Sequence, residues 1–192
     1  MMHEMYMQRC LMLARLGAGR VAPNPMVGAV LVHEGIIIGE GYHQKWGEAH
    51  AEVACVASVK RENKHLIPEA TMYVSLEPCS HWGKTPPCAD LILKEGIKKV
   101  VVGSTDPFSL VAGKGIEKLK SGGVEVTVGV LEEDCKRVNK HFFTFNNLHR
   151  PFITLKWAQT ANGKIANGNY KPLPISNTYS ARLVHRLRAE HS

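Results

Sequence analysis

The feature that most restricts the fold is a pair of short apolar runs, ATMYVSLEP (70–78) and KKVVVGSTDP (98–107), flanking a helical stretch, CADLILKEG (88–96). The first is rich in β-branched and aromatic residues, the second centres on three consecutive valines, and both turn polar at their C-terminal ends, as buried strands do. Gly96 stops the stretch between them as a helix. A third strand, VEVTVGV, follows a short helix over residues 113–121, and a helix over 131–145 comes after it. Strands alternating with helices predict an α/β protein with at least partly parallel pairing. The polar strand ends SLEPCS and GSTDP should then share one edge, where such sheets place ligands.

Upstream, residues 3–17 read as an amphipathic helix with Met5, Cys10, Leu13 and Leu16 among its apolar positions. GRVAPNPMVG is a loop broken by two prolines and two glycines, and GAVLVHEGIIIGEGYH reads as a hairpin around a His-Glu-Gly turn. Residues 50–60 form a helix. The expected architecture is a three-layer α/β/α sandwich, a mixed sheet with helices on both faces. Arg150-Pro151 marks a boundary. Beyond it come a strand, FITLKWAQT, a turn, NGKIANGNYKP, and a helix over roughly 178–190. One strand and one helix bury no core of their own. The tail therefore packs on the first domain or begins another, and the division expected is 1–148 and 149–192.

Apolar content of 44% and charged content of 21% suit a soluble globular chain. No apolar run is long enough to span a bilayer. Acids and bases within the N-terminal helix argue against a cleaved signal. The setting expected is cytoplasmic. The net charge of +7 comes from scattered Lys and Arg, which reads as a solvated basic surface or as suited to an anionic substrate, and nucleic acid is not the expected partner.

Five cysteines at irregular spacing make a poor disulfide framework. Cys10, Cys55 and Cys135 fall on apolar helical faces as small core residues. Cys79 and Cys88 each follow a proline in a turn-rich loop. With His50 they offer one imidazole and two thiolates, the ligand set of a catalytic zinc that keeps a position open for water. Residues two apart in a helix point roughly 200° away from each other. His50 and Glu52 can therefore share a centre only in a first turn with the metal over the helix end. A thiol at a helix N-terminus, as Cys88 is, ionises more readily. Glu52 is then no ligand but the proton carrier between water and a leaving amine. His-x-Glu followed by Pro-Cys and a second Cys, in that order, is the signature of zinc-dependent nucleoside and nucleobase deaminases. The usual gap between the cysteines is two residues. Here SHWGKTPP makes it eight, and this insertion should overhang the site.

PNPMVGAVLV, GEGYHQKWGEAHAEV, YVSLEPCSHWGKTPPCADLI and DPFSLVAGKGIEKL resemble the diaminohydroxyphosphoribosylaminopyrimidine deaminases of riboflavin biosynthesis, over residues 3–148. The resemblance implies a cytidine-deaminase-like fold and one zinc ion. It also implies hydrolytic removal of the 2-amino group of 2,5-diamino-6-(5-phosphoribosylamino)pyrimidin-4-one. Substrate contacts carried over are Asn24, His43, His81, Lys84 and Asp106. Each also has a plainer reading: Asn24 can cap a turn, His43 can end a strand at the surface, and Asp106 can open the Asp-Pro turn. Phe108-Ser109 stands where the family has Asn-Pro, so an asparagine's hydrogen bonds are not carried over.

RPFITLKWAQTANGKIA resembles the opening of the fused 5-amino-6-(5-phosphoribosylamino)uracil reductase, a dihydrofolate-reductase-like domain that uses NADPH. Thr160-Ala161-Asn162-Gly163-Lys164 stands where that family reads Ser-Leu-Asp-Gly-Lys, and Pro174-Ile175 where it reads Trp-Ile. By position, Ala158 would line the cofactor and Arg188 the substrate. The parent protein is expected to be bifunctional, and residues 149–192 are too few for a whole nicotinamide site. A homo-oligomer, dimer or tetramer, is a further implication. Two other readings are weighed against this one. A tRNA adenosine deaminase would use the same chemistry with the closer cysteine spacing. A module with structural zinc would need a fourth protein ligand, for which His81 is the candidate.

Overall fold

A computed structural model describes residues 2–82, 86–108, 112–167 and 174–189. The chain divides into two compact units between Pro151 and Phe152. In the first, the elements in order are α1 (Met2–Arg15), β1 (Gly28–His33), β2 (Ile36–Tyr42), α2 (Ala51–Ser58), a 3-10 turn (Arg61–Glu69) that the sequence reading did not anticipate, β3 (Thr71–Leu76), α3 (Cys88–Lys94), β4 (Lys99–Ser104), α4 (Lys114–Ser121), β5 (Glu125–Val128), α5 (Glu132–Val138) and α6 (Lys140–Leu148).

The five strands lie in the order β2-β1-β3-β4-β5. β1 pairs antiparallel with both β2 and β3, while β3, β4 and β5 run parallel. Side-chain alternation splits the core in two. Ala29, Leu31, Met72, Val74, Val100 and Val102 face one way, against Ala51 and Cys55 of α2, Ile92 of α3 and Leu119 of α4. Val30, Val32, Tyr73 and Val101 face the other way, against Tyr6, Met7 and Cys10 of α1 and Cys135 of α5. The three layers expected from the sequence are therefore present. α2 sits directly on β2 because Gly41 has no side chain. A Cβ there would overlap the Cys55 amide nitrogen and the Ala51 carbonyl.

The pairing Leu76↔Ser104 puts the ends of β3 and β4 side by side. Because β1 runs antiparallel to β3, its start lies at the same edge, next to the end of β2 through Gly28↔Tyr42. Four connections therefore converge there: the Pro-rich loop before β1 and the segments after β2, β3 and β4.

Two expectations change. The helix read over 131–145 is interrupted at Asn139. Its buried side chain accepts from Met26 N at 2.7 Å and donates to the Met26 carbonyl at 2.8 Å, and its backbone leaves the helical region. FITLKWAQT forms no strand: residues 152–160 pair with no other described strand, and an extended segment becomes a strand only through a partner's hydrogen bonds. The second unit contains this stretch and helix α7 (Thr178–Ala189). Among the described residues, no helix is long and apolar enough to cross a membrane.

Candidate metal centre and active-site cavity

His50 is the residue before α2, not its first helical residue. Its backbone is extended, with φ −70° and ψ 163°, while its carbonyl already accepts from Ala54 N at 3.0 Å. That half-in position frees the imidazole to swing over the helix end, while Glu52 one step further in is held by helical geometry. Cys88 opens α3 after Pro87, and Cys79 follows the β3 end. The Cys88 amide donates to Cys79 Sγ at 3.3 Å, and the Ala89 amide to the Cys79 carbonyl at 3.0 Å.

These constraints bring one ring nitrogen and two sulfurs together. His50 Nδ1 lies 3.6 Å from Cys79 Sγ and 3.3 Å from Cys88 Sγ. Among the described residues, His50, Cys79 and Cys88 form the group whose ligand atoms, all within 4.8 Å of one another, could hold a metal ion. Their chemistry fits zinc. Hydrogen bonding from Cys88 holds the Cys79 thiol well below the usual range, and the neighbouring Cys79 raises His50. Against the expectation from its place at a helix start, the Cys88 thiol is raised by its hydrogen bond with Cys79 and by burial, so an incoming divalent cation must displace its proton. By contrast, burial pushes up the thiols of Cys10, Cys55 and Cys135, which behave as core residues.

Glu52 lies beside this group and is 3% exposed. Burial, chiefly, pushes its carboxyl up to about 7. A carboxyl in that range can both take and return a proton near neutrality.

The group opens into a cavity of about 440 Å³ bordered by His50, Glu52 and Cys79, and also by Asn24, His43, His81, Asp106 and Phe108. His43 is buried, and desolvation lowers its pKa, so it is neutral at pH 7. Its Nδ1–H donates to the Ala49 carbonyl at 3.0 Å, because a carbonyl can only accept. Nε2 then carries a lone pair, 3.2 Å from the Asn24 amide nitrogen. The Asn24 N–H therefore points at His43, and Oδ1 is left to accept from whatever fills the cavity. The His43 and His50 rings meet edge to face, with centroids 5.6 Å apart. Burial pushes the Asp106 carboxyl up to about 6, and its Oδ1 accepts from the Phe108 amide at 2.8 Å. Phe108 thus keeps the turn through its backbone and presents a ring, not an amide, to the cavity.

His81 borders the cavity but is not in the His50-Cys79-Cys88 group. Trp82 is exposed, and Lys84 lies outside the described residues. In the second unit, Ala158 lies half-buried in the extended stretch and Arg188 in the last turn of α7. Sequence reading missed Trp46, Phe142, Phe145 and Asn146, which complete the wall. Phe142, Phe145 and Asn146 share one face of α6 at helical spacing, a signal equally consistent with a core face.

Comparison with known proteins gives three findings. The family model described as the cytidine and deoxycytidylate deaminase zinc-binding region matches residues 1–104. The riboflavin biosynthesis protein RibD of Aquifex aeolicus is 49% identical over 96% of this chain and 51% of its own length; that of Escherichia coli K12 is 40% identical over 99% and 51%. A Thermotoga maritima diaminohydroxyphosphoribosylaminopyrimidine deaminase/5-amino-6-(5-phosphoribosylamino)uracil reductase superposes with a TM-score of 0.90 at 46% identity, over 97% of this chain and 53% of that one. RibD of Acinetobacter baumannii gives 0.91 at 37% identity, over 98% and 52%. The chain thus spans about half the length of the curated relatives it matches.

Proposed function

The chain belongs to the cytidine and deoxycytidylate deaminase zinc-binding family, and from that premise we propose that it hydrolyses the 2-amino group from 2,5-diamino-6-(5-phosphoribosylamino)pyrimidin-4-one. Its five-stranded mixed sheet with helices on both faces is the cytidine-deaminase-like α/β fold. The products would be 5-amino-6-(5-phosphoribosylamino)uracil and ammonia, a step of riboflavin biosynthesis. The observation that carries this reading is the convergence of His50, Cys79 and Cys88 beside the buried Glu52 at the cavity wall. The substrate assignment draws on the activity for which the Thermotoga maritima relative is named and on the resemblance of the long cysteine loop to that family.

His50, Cys79 and Cys88 would hold the zinc ion, which when bound supplies Lewis-acid activation of water at neutral pH. Glu52 moves the protons. One proton of the attacking water passes through its carboxylate to the ring nitrogen beside the reacting carbon. The second passes to the amino group, which leaves as ammonia with the electrons of the broken C–N bond. Asn24, its amide orientation fixed by His43, accepts from a pyrimidine N–H through Oδ1. His81 and Asp106 contact the substrate from the cavity wall, and Lys84 is assigned to the phosphoribosyl group.

The second unit is read as part of an NADPH-dependent reductase region with Ala158 at the cofactor and Arg188 at the substrate. The parent protein is read as bifunctional, homo-oligomeric and cytoplasmic, with no nucleic-acid partner. The test is zinc analysis coupled to ammonia release with the diaminopyrimidine phosphate and with tRNA. We expect one zinc per chain and ammonia from the pyrimidine alone. Ammonia from tRNA without turnover of the pyrimidine would reverse the assignment.

A further inference from the structure

Glu77 stands two residues before Cys79, and nothing above gives it a role. It is 4% exposed, yet it borders the cavity. A carboxylate withdrawn from water needs its lone pairs filled. Four backbone amides fill them. Oε2 accepts from Asp106 N at 3.2 Å and Gly113 N at 2.9 Å; Oε1 accepts from Gly115 N at 2.9 Å and Ile116 N at 3.3 Å. Asp106 and Gly113 bracket the connection between β4 and α4, while Gly115 and Ile116 belong to the first turn of α4, whose amides have no intrahelical partners.

The surrounding chain is shaped for this carboxylate. Gly113 takes φ 78°, and a Cβ on Gly115 would overlap the Pro78 carbonyl, so the helix start can sit against the Glu77-Pro78 backbone. The Glu77 amide also donates to the Ser104 carbonyl at 2.9 Å. A carboxylate serving only to cap α4 would need Oε1 alone. Oε2 is spent on the segment that carries Asp106 and Phe108 to the cavity wall.

We propose that Glu77 is a positioning residue for substrate binding. It ties both ends of the β4–α4 connection to the strand end that carries Cys79, and so sets where Asp106 and Phe108 stand relative to the metal ligands. No bond or proton changes at Glu77. The inference rests on the proposed reading of the cavity as the site for the phosphoribosylated diaminopyrimidine.

The test is Glu77→Gln in the zinc-loaded full chain. The amide keeps the shape and one acceptor oxygen but turns an NH2 group against N–H donors. We expect KM for the diaminopyrimidine to rise about tenfold or more, kcat to stay within about threefold and zinc content to hold, the split left by lost uniform binding. A second measurement needs no turnover. Amide hydrogen exchange at Asp106 and Gly113 should be slow in the wild-type protein and faster in Glu77→Gln, with the β3 amides unchanged. An unchanged KM, or loss of zinc in the variant, overturns the proposal. Fast exchange at Asp106 and Gly113 in the wild type overturns it too, even if the variant does not fold. If the wild type releases no ammonia from this substrate, the proposed function falls and the exchange result alone decides the anchor.

Discussion

His50 and Glu52 sit two positions apart yet serve one cavity because only Glu52 is helical. The extended backbone of His50 turns its ring over the end of α2. That separation of roles predicts two different failures. Glu52→Gln removes the proposed proton carrier but no proposed ligand; zinc should be retained while ammonia release drops about 10²- to 10⁴-fold. Retained turnover in that variant would remove Glu52 from the mechanism. Cys88→Ala removes a proposed ligand, and metal analysis should find the zinc gone together with part of the stability. Full zinc stoichiometry there refutes the ligand assignment. The His-Ala-Glu spacing and the two Pro-Cys pairs made these four residues legible in the sequence. Asn24 and His43 were legible only as substrate contacts implied by the family resemblance; their contact with each other was not, because it joins a ring and an amide 19 positions apart.

Among the elements, most strands and helices could be read from the sequence because the central strands β1, β3 and β4 are buried on both faces and their apolar runs are short and bounded. The break at Asn139 could not, since its cause is a pair of hydrogen bonds to Met26, far away in sequence. The missing strand at 152–160 fails for the complementary reason: its apolar alternation is real, but pairing is a property of two segments. α1 and β2 are joined by an ion pair that can be tested by pH. Arg9 donates from Nε and Nη2 to the two oxygens of Glu40 at 2.6 and 2.7 Å. The Arg9 hydrogen bonds hold the Glu40 carboxyl below the usual carboxylate range. Since the folded-state pKa is the lower one, the pair stabilises above the ordinary carboxylate pKa, and that contribution is lost as pH falls through the folded value. Both side chains are about a third or more exposed, so the contribution is about 0.5–1 kcal/mol. Urea unfolding should show Glu40→Gln less stable than wild type at about pH 7, with the difference shrinking as pH falls below the ordinary carboxylate range. A difference that persists in acid would assign the loss to packing instead.

At the level of the whole molecule, the sheet's mixed direction brings the three side chains proposed to hold zinc to one edge. His50 comes from the segment after β2, Cys79 from the segment after β3, and Cys88 from the start of α3. A bound ion therefore staples three elements that the chain supplies separately, and binding to the folded state alone adds stability. At a concentration of zinc about 100 times Kd this is about 2.7 kcal/mol, so chelation should lower Tm by about 5–10 °C. An unchanged Tm would mean that the ion does not bridge these elements. The central claim, that one imidazole and two sulfurs hold zinc and leave a position open, is tested most directly by X-ray absorption at the zinc edge on the loaded protein. We predict two sulfur neighbours at about 2.3 Å and two nitrogen or oxygen neighbours at about 2.0–2.1 Å. A shell of four protein ligands, or one without sulfur, would contradict the account.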